Sequence, residues 1–425
     1  MSRHRKTWLS AFLIIGFLLS PAIIFAQLSP GQYLEESSLG SWNNFGAEAA
    51  ASIGAGLRQI VFSGGGQSLL SNPAFLASLS RPAIDLSFSF QQSQVYRYWM
   101  VNTGVLSTDG NLGCQALGLS FAGLSGKIKD WSIALAISQT ENYSRPKIEY
   151  SYTSGGILYE QMTLSQTGRQ TVYALGLARA LTPRLSLGLS LAFINGYLKR
   201  NFEDNYPAEG IKINDVREQK ISGVYLIFGA GYQLNKKLAV GFSLTPPYSR
   251  NFRGTSLAGF YSSENQIEIP GTGNDRIKMP LVAGVGLLFQ VNRSVDLSLE
   301  AIYFDWENYS FKYFGEPLER NFKSIFRLSF GLDYKSTFKF LEKKWEAPYY
   351  AGLIIDPQPM TDVRSNYYYI TFGSGMGNTD FLLTFSTAIG LEKGSGHHLT
   401  NQKVCLSLQL RPSLIDKFRS RKKGR

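Results

Sequence analysis

Apolar and small or polar residues alternate with a period of two from about residue 83 to the end of the chain. Leu185, Leu187, Leu189, Leu191 and Phe193 alternate with Ser186, Gly188, Ser190 and Ala192. Phe381, Leu383, Phe385, Thr387 and Ile389 alternate with Leu382, Thr384, Ser386 and Ala388, and Val404, Leu406, Leu408 and Leu410 with Cys405, Ser407, Gln409 and Arg411. A β-strand sends successive side chains to opposite faces, so each segment is greasy on one side only. One such strand suits any core. About a dozen behind an export signal suit a wall with lipid outside and water inside.

The rhythm predicts fourteen strands, near 83–98, 114–123, 131–144, 171–181, 184–199, 219–234, 237–249, 276–291, 294–311, 323–337, 347–356, 366–376, 380–392 and 403–412. Many exceed the roughly 9–11 residues that cross a membrane at a tilt. Tight turns are expected at 123–130, 182–183, 235–236, 292–293 and 377–378. Longer polar connections are expected at 99–113, 145–170, 200–218, 250–275, 312–322 and 393–402; 338–346 breaks this alternation modestly. If the N-terminus is periplasmic, the first connection is external and long, and an even strand number returns the C-terminus to the periplasm. The pattern therefore predicts an all-β fold, a transmembrane antiparallel β-barrel. Aromatics near strand ends (Tyr96, Tyr98 and Trp99; Tyr143; Tyr197; Tyr303 and Trp306; Tyr349 and Tyr350; Tyr367 to Tyr369) are candidates for interfacial girdles. Asn142-Tyr143-Ser144-Arg145-Pro146 is expected to end the third strand, because proline interrupts pairing.

The first 26 residues have the form of a secretion signal: Arg3, Arg5 and Lys6, an apolar run from Trp8 to Phe25 interrupted by Pro21, and Ala26 before the cut. Residues 27–82 lack strand rhythm. Gly46 to Ala51 is helix-prone, Ser63-Gly64-Gly65-Gly66 is loop, and Ser71-Asn72-Pro73-Ala74 begins an apolar stretch. Ahead of a barrel, this segment is expected to sit in the lumen as a plug. Pro73 lacks an N–H and holds Asn72 extended, so Asn72-Pro73-Ala74 makes a fixed bend. The expected division is 1–26 signal, 27–82 plug, 83–412 barrel and 413–425 basic tail.

The net charge is +12, but the signal holds +3 and residues 416–425 hold +5, leaving +4 for the body. No basic surface with interleaved aromatics marks a nucleic-acid binder. Cys114 and Cys405 fall on the second and last strands, separated by the first, roughly 9–10 Å at normal strand spacing, too far for a disulfide. No enzyme is expected. His4 lies in the signal and His397 and His398 in one external loop, where a hydrolase would have to be built. No metal-ligand spacing or phosphate loop stands out, and no cofactor is implied.

On the inward register lie Ile227, Val282, Leu288, Ile302 and Phe304, which would give a bore apolar enough for a hydrocarbon ligand, or else pack the plug. Asp85, Asp296, Glu300, Arg327, Asp333 and Arg411 face inward too, where charges pair or meet water. Arg327 and Arg411 are candidate partners for a substrate carboxylate through bidentate contacts.

These residues carry a resemblance. Asn72-Pro73-Ala74 after a Gly/Ala-rich segment looks like the plug motif of the FadL-type outer-membrane transport proteins. Pro280 to Gly286 followed by Val295 to Trp306 resembles a family strand pair ending in Asp-Trp, here Asp305-Trp306. Phe326 to Tyr334 resembles a later strand, and Ala351-Gly352 with Asp356-Pro357-Gln358-Pro359 resembles the strand and loop after it. Two features depart from the family: the last strand does not end the chain on an aromatic residue, and 99–113 has no counterpart. The resemblance implies a monomer in the outer membrane, among outer-membrane lipids. It implies passive uptake of long-chain fatty acids or similar hydrophobic small molecules, which enter a greasy pocket and leave sideways after the plug shifts. Some barrels of this kind instead serve secretion systems as docking or shuttle components.

Overall fold

The computed structural model describes residues 49–411 except 63, 94–98, 102–103, 107–113, 144, 314–315, 319–320, 341, 360, 362–363 and 395–399. Seventeen ladder segments form one sheet. They make fourteen wall strands, because three strands are each interrupted once. In chain order these are β1 (Ala83–Ser93), β2 (Cys114–Ile128), β3 (Trp131–Asn142, continued by Arg145–Ser154), β4 (Ile157–Ala180), β5 (Leu185–Tyr206) and β6 (Ile211–Asn235). There follow β7 (Leu238–Thr245, continued by Tyr248–Tyr261), β8 (Gln266–Met279, continued by Val282–Gln290), β9 (Val295–Phe304) and β10 (Ile325–Phe340). The last are β11 (Lys343–Pro357), β12 (Asn366–Gly377), β13 (Phe381–Lys393) and β14 (Thr400–Leu410). All pairings are antiparallel. β1 closes the cylinder by pairing with β14 (Ile84↔Leu410) as well as with β2 (Ala83↔Ser125). Closure joins the first strand to the last, so the sheet has no terminal edge in the lipid.

The alternation is borne out in three dimensions. Leu187, Leu189, Phe193, Leu383 and Leu406 are exposed on the outer face, while Ser190, Ala192, Thr384, Ser386 and Cys405 are buried inside. Cys405 opposes Ser89 and Cys114 opposes Ser93 on β1, so β1 stands between the two cysteines. Cys405 is a free thiol.

Several expectations are corrected. The stretches 145–170, 200–218 and 250–275 are not loops but hairpin arms that carry the wall far beyond the membrane. β4, β5 and β6 hold 24, 22 and 25 residues, about twice what a tilted crossing needs. The turns also tighten: β2 runs to Ile128 and β3 starts at Trp131, and β10 and β11 are parted only by 341–342. β3 does not end at Asn142; it kinks, with register shifts at Gln139/Glu141 and at Arg145/Ile148, and then continues.

β7 and β8 are interrupted side by side, at Pro246-Pro247 and Pro280-Leu281. Each break shifts the inward face by one residue, from Ser243 and Thr245 to Tyr248 and Arg250, and from Ile277 and Met279 to Val282 and Gly284. The two shifts match, so Thr245↔Val282 and Tyr248↔Met279 stay opposite. A bulge in one strand alone would have slipped every side chain beyond it to the wrong face.

Inside the bore sits the plug: helix α1 (Ala50–Gly54) and two 3₁₀ helices, Gly65–Leu70 and Pro73–Ser78. Wall glycines let it touch the sheet backbone. A Cβ on Gly331 would strike the Ala55 carbonyl, one on Gly352 the backbone of Gly56, and one on Gly188 the Pro73–Ala74 peptide. Gly56 itself has φ +72°, which suits glycine. Gly188→Val is expected to overpack this contact by about 1–3 kcal/mol. Limited proteolysis with mass spectrometry checks it: cleavage between 55 and 80 should become faster, with the barrel still resistant to detergent unfolding.

Candidate functional site: plug, bore cavity and side slit

From Ala55 to Phe62 the plug's backbone is irregular and every residue is buried. Its N–H groups need partners, and inward wall residues supply them. Glu300 on β9, 1% exposed, accepts three backbone N–H bonds, from Gln59 (2.8 Å), Ile60 (2.8 Å) and Val61 (2.9 Å). Asp85 on β1 accepts from Gly66 N (2.7 Å) and from Gln409 Nε2 (2.7 Å) on the closing strand. Thr371 on β12 accepts from Gly56 N (3.1 Å) and donates to Gly54 O (2.8 Å). Ser407 accepts from Ala50 N (2.8 Å). Arg58 of the plug meets Asp333 at 3.5 Å.

Asn72 is fully buried. Its Nδ2 donates to Ile60 O (2.8 Å) and to Ala230 O of β6 (3.1 Å), and its Oδ1 accepts from Ala74 N (3.2 Å). It caps the 3₁₀ helix that Pro73 begins, where a missing N–H costs nothing. Asn72-Pro73-Ala74 is thus a bend tied both to the plug and to the wall.

All five apolar candidates face inward. Ile227, Val282 and Ile302, with Tyr225 and Tyr248, line a cavity whose other side is Ile60 and Leu70 of the plug. Only about 40 Å³ is free there, room for a few waters. Phe304 lies instead in the core against Arg327, with its ring 5.4 Å from the guanidinium. Leu288 lines a second cavity of about 490 Å³ across the plug, beside Arg58, Phe62, Asp85, Asp296 and Arg411. That cavity lies at the mouth where the tight turns and the ends of β1 and β14 gather.

The two candidate carboxylate partners are not brought together. Arg327 is buried and donates from Nη2 to Gln59 Oε1 (2.9 Å). Arg411, at the tight-turn mouth, donates from Nε to Gln409 Oε1 (2.8 Å). Three further inward pairs are matched: Lys335 with Asp296 (2.6 Å), Arg217 with Asp215 (2.7 Å) and Arg250 with Glu141 (2.6 Å). No pattern in the chain marked the Arg250–Glu141 pair. Arg250 stood in an expected loop, beyond the parity change at Pro246-Pro247.

Glu141 marks a seam. The β2–β3 ladder runs from Ile128↔Trp131 only to Phe121↔Ser138. Beyond it, Cys114–Leu119 pair with β1, and Arg145–Ser154 pair with β4. Among the described residues no ladder bond joins β2 to β3 there, so the wall has a slit. Tyr143 turns inward beside it, held by Gly168 O (3.0 Å) and by Gln166 Nε2 on its carbonyl (2.9 Å).

The girdle expectation is corrected in part. Tyr197, Tyr349 and Tyr368 are exposed on the outer face, whereas Tyr143, Trp306, Tyr350, Tyr367 and Tyr369 are buried on the bore side. Tyr173, Tyr232 and Tyr334 are further exposed rings. Tyr96, Tyr98, His397, His398, the signal and the tail lie outside the described residues. Among the described residues no cluster of three metal-ligating side chains exists.

No protein-family model and no curated sequence matches the chain. Solved structures do. The toluene transporter TbuX of Ralstonia pickettii has 14% identity and a TM-score of 0.62, covering 87% of this chain and 99% of its own. A FadL homologue of Pseudomonas aeruginosa has 13% identity and a TM-score of 0.62, with the same coverage. The toluene transporter TodX of Pseudomonas putida has 15% identity and a TM-score of 0.58, covering 87% and 99%. The likeness is one of fold, the barrel architecture that the plug motif and strand pairs resembled.

Removing the Glu300 carboxylate strands three plug N–H groups, each worth about 1–3 kcal/mol when buried without a partner. Glu300→Ala is expected to loosen the plug and raise single-channel conductance in planar bilayers. Glu300→Gln, which keeps one acceptor oxygen, should fall between it and the parent.

Proposed function

We propose that the chain is a passive outer-membrane channel for hydrophobic small molecules, with neutral hydrocarbons preferred over fatty-acid anions. The observation that carries the preference is the matching of inward cations. Arg58, Arg217, Arg250 and Lys335 each face an acid; Arg327 and Arg411 each give one donor to an amide oxygen, and Asp356 and Glu300 lie close enough to Arg327 to act on its charge. A carboxylate would have to displace one of these partners at a desolvation cost. The external hairpins add acids on the bore side. Asp204 is pushed above its ordinary value by burial, and Glu160 is pushed up by burial and by Asp204. The cavity wall of Tyr225, Ile227, Tyr248, Val282 and Ile302 suits a ring or a short chain. The solved neighbours TbuX and TodX are toluene transporters by name.

In this mechanism the ligand enters from the external hairpins and displaces Ile60 and Leu70 from the cavity. The β2–β3 slit offers a way sideways into the lipid, and the 490 Å³ cavity a way to the opposite mouth. No energy source takes part. The Asn72-Pro73-Ala74 bend keeps the moving segment tied to β6.

Uptake of labelled toluene and of labelled palmitate into cells carrying the channel tests the reading. Toluene uptake is expected to exceed the vector control, and Arg327→Met and Arg411→Met should leave it within about twofold. Ile302→Asp, which puts an unpaired charge in the cavity, should lower it by about tenfold or more. Palmitate uptake that depends on Arg327 or Arg411 would favour the fatty-acid alternative.

A further inference from the structure

Six basic residues project outward from five neighbouring strands where the apolar band ends. On β6 the outward face passes from Val224 through Ser222 to Lys220, and on β5 from Phe193 through Asn195 and Tyr197 to Lys199. Arg169 on β4, Arg253 on β7 and Arg276 and Lys278 on β8 complete the group, and all six are exposed. The ladder sets them side by side: Arg169↔Tyr197, Tyr197↔Lys220, Lys220↔Arg253 and Arg253↔Asn274 are successive register partners. Lys220 and Arg253 are therefore about one strand spacing apart, roughly 5 Å.

Like charges so placed repel, and few acids relieve them. Among the described residues only Lys199 has an acidic partner, Glu218. Arg253 Nε donates to Asn274 Oδ1 (3.1 Å) and Arg276 Nε to Ser249 Oγ (2.8 Å). Each bond orients a fork but occupies one donor of five. Basic residues also occur at the opposite mouth, such as Lys127, Lys129, Lys236 and Lys237, but there they are spread over separate turns.

We propose that the outward face of β4–β8 is a binding site for phosphorylated lipid headgroups of the outer leaflet. Lys220 is the second outward position past Val224 and Lys199 the third past Phe193, which is headgroup depth. Phosphate is the group that adjacent guanidinium and ammonium ions hold best, and basic residues at a membrane surface add attraction residue by residue. The site rests on the outer-membrane reading, not on the identity of the transported compound.

Native mass spectrometry of the full chain in detergent, offered bisphosphorylated lipid A or the same lipid stripped of phosphate, tests it. Wild type is expected to favour the phosphorylated lipid at least tenfold. Lys220→Gln with Arg253→Gln and Arg276→Gln should lose about a hundredfold of that affinity, whereas Lys236→Gln with Lys237→Gln should keep it. Heat-modifiable gel mobility verifies that both variants fold. Equal retention of the two lipids by wild type, or an unchanged triple variant, overturns the proposal; so does inorganic phosphate binding as tightly as the lipid. Toluene uptake is measured on the same variants. Lipid preference in a wild-type protein without uptake supports this site and counts against the channel reading alone.

Discussion

A chain that leaves its ladder inside a membrane has to find its backbone partners within the protein. That constraint organises the molecule. Among the described residues between α1 and Pro73 only Gly65–Leu70 is helical, and several wall strands carry an inward group suited to a particular part of this stretch. Glu300 takes three successive N–H groups, Asp85 takes the glycine loop, and Thr371 and Ser407 take the N-terminal turn. The wall glycines are the other half of the same solution, since a wall acceptor reaches a plug N–H only where the two approach without side chains between them. Glu300, Asp85, Thr371 and Ser407 are thus plug ligands, set apart from the inward pairs such as Arg250–Glu141 that link wall strands to each other.

The wall was legible because lipid enforces alternation. Leu187, Leu189 and Phe193 had to be apolar, and their neighbours had to be small or polar to share the bore. Above the membrane both faces meet water and the rule lapses. Thr163-Leu164-Ser165-Gln166-Thr167-Gly168 therefore has the composition of a loop although it is strand throughout. The inward parity of Ile227, Val282 and Ile302 was visible; that a plug isoleucine fills the space between them was not, because Ile60 lies in a segment without period. The inward tyrosines were misplaced for a related reason. A ring near a strand end suits either the interface or the bore, and only the register decides. Arg250 was hidden by paired proline breaks that shift parity in two strands at once.

The slit beside β3 follows from the same local chemistry. Pro146 has no N–H for a ladder, and the register slips by a residue on each side of Tyr143. Backbone groups freed by the slip are taken up on the β4 side, where Gly168 and Gln166 bind Tyr143. Among the described residues, the edge of β2 that faces β3 has no ladder partner there. The Arg250–Glu141 pair sits on the bore side of that seam, and breaking it would leave a buried charge alone. A neutral ligand passing this point does not compete for either charge, which is a further reason to associate the bore with hydrocarbons.

On the proposed mechanism, the energetic scale of gating follows from what a hydrocarbon can replace. It offers no hydrogen bonds, so it cannot substitute for Glu300 or Asp85, and those tethers hold whether or not it is bound. What it can replace is the apolar contact of Ile60 and Leu70 with Ile227, Val282 and Ile302. Withdrawing one such side chain costs about 1.5–3 kcal/mol. A ligand of seven or eight carbons gains about 0.8 kcal/mol for each methylene-sized piece it buries, less its loss of freedom on binding. The two amounts are of the same order, so occupancy and closure are nearly balanced. That balance is what a passive channel requires, because a site that gained much more than it gave up would trap its cargo.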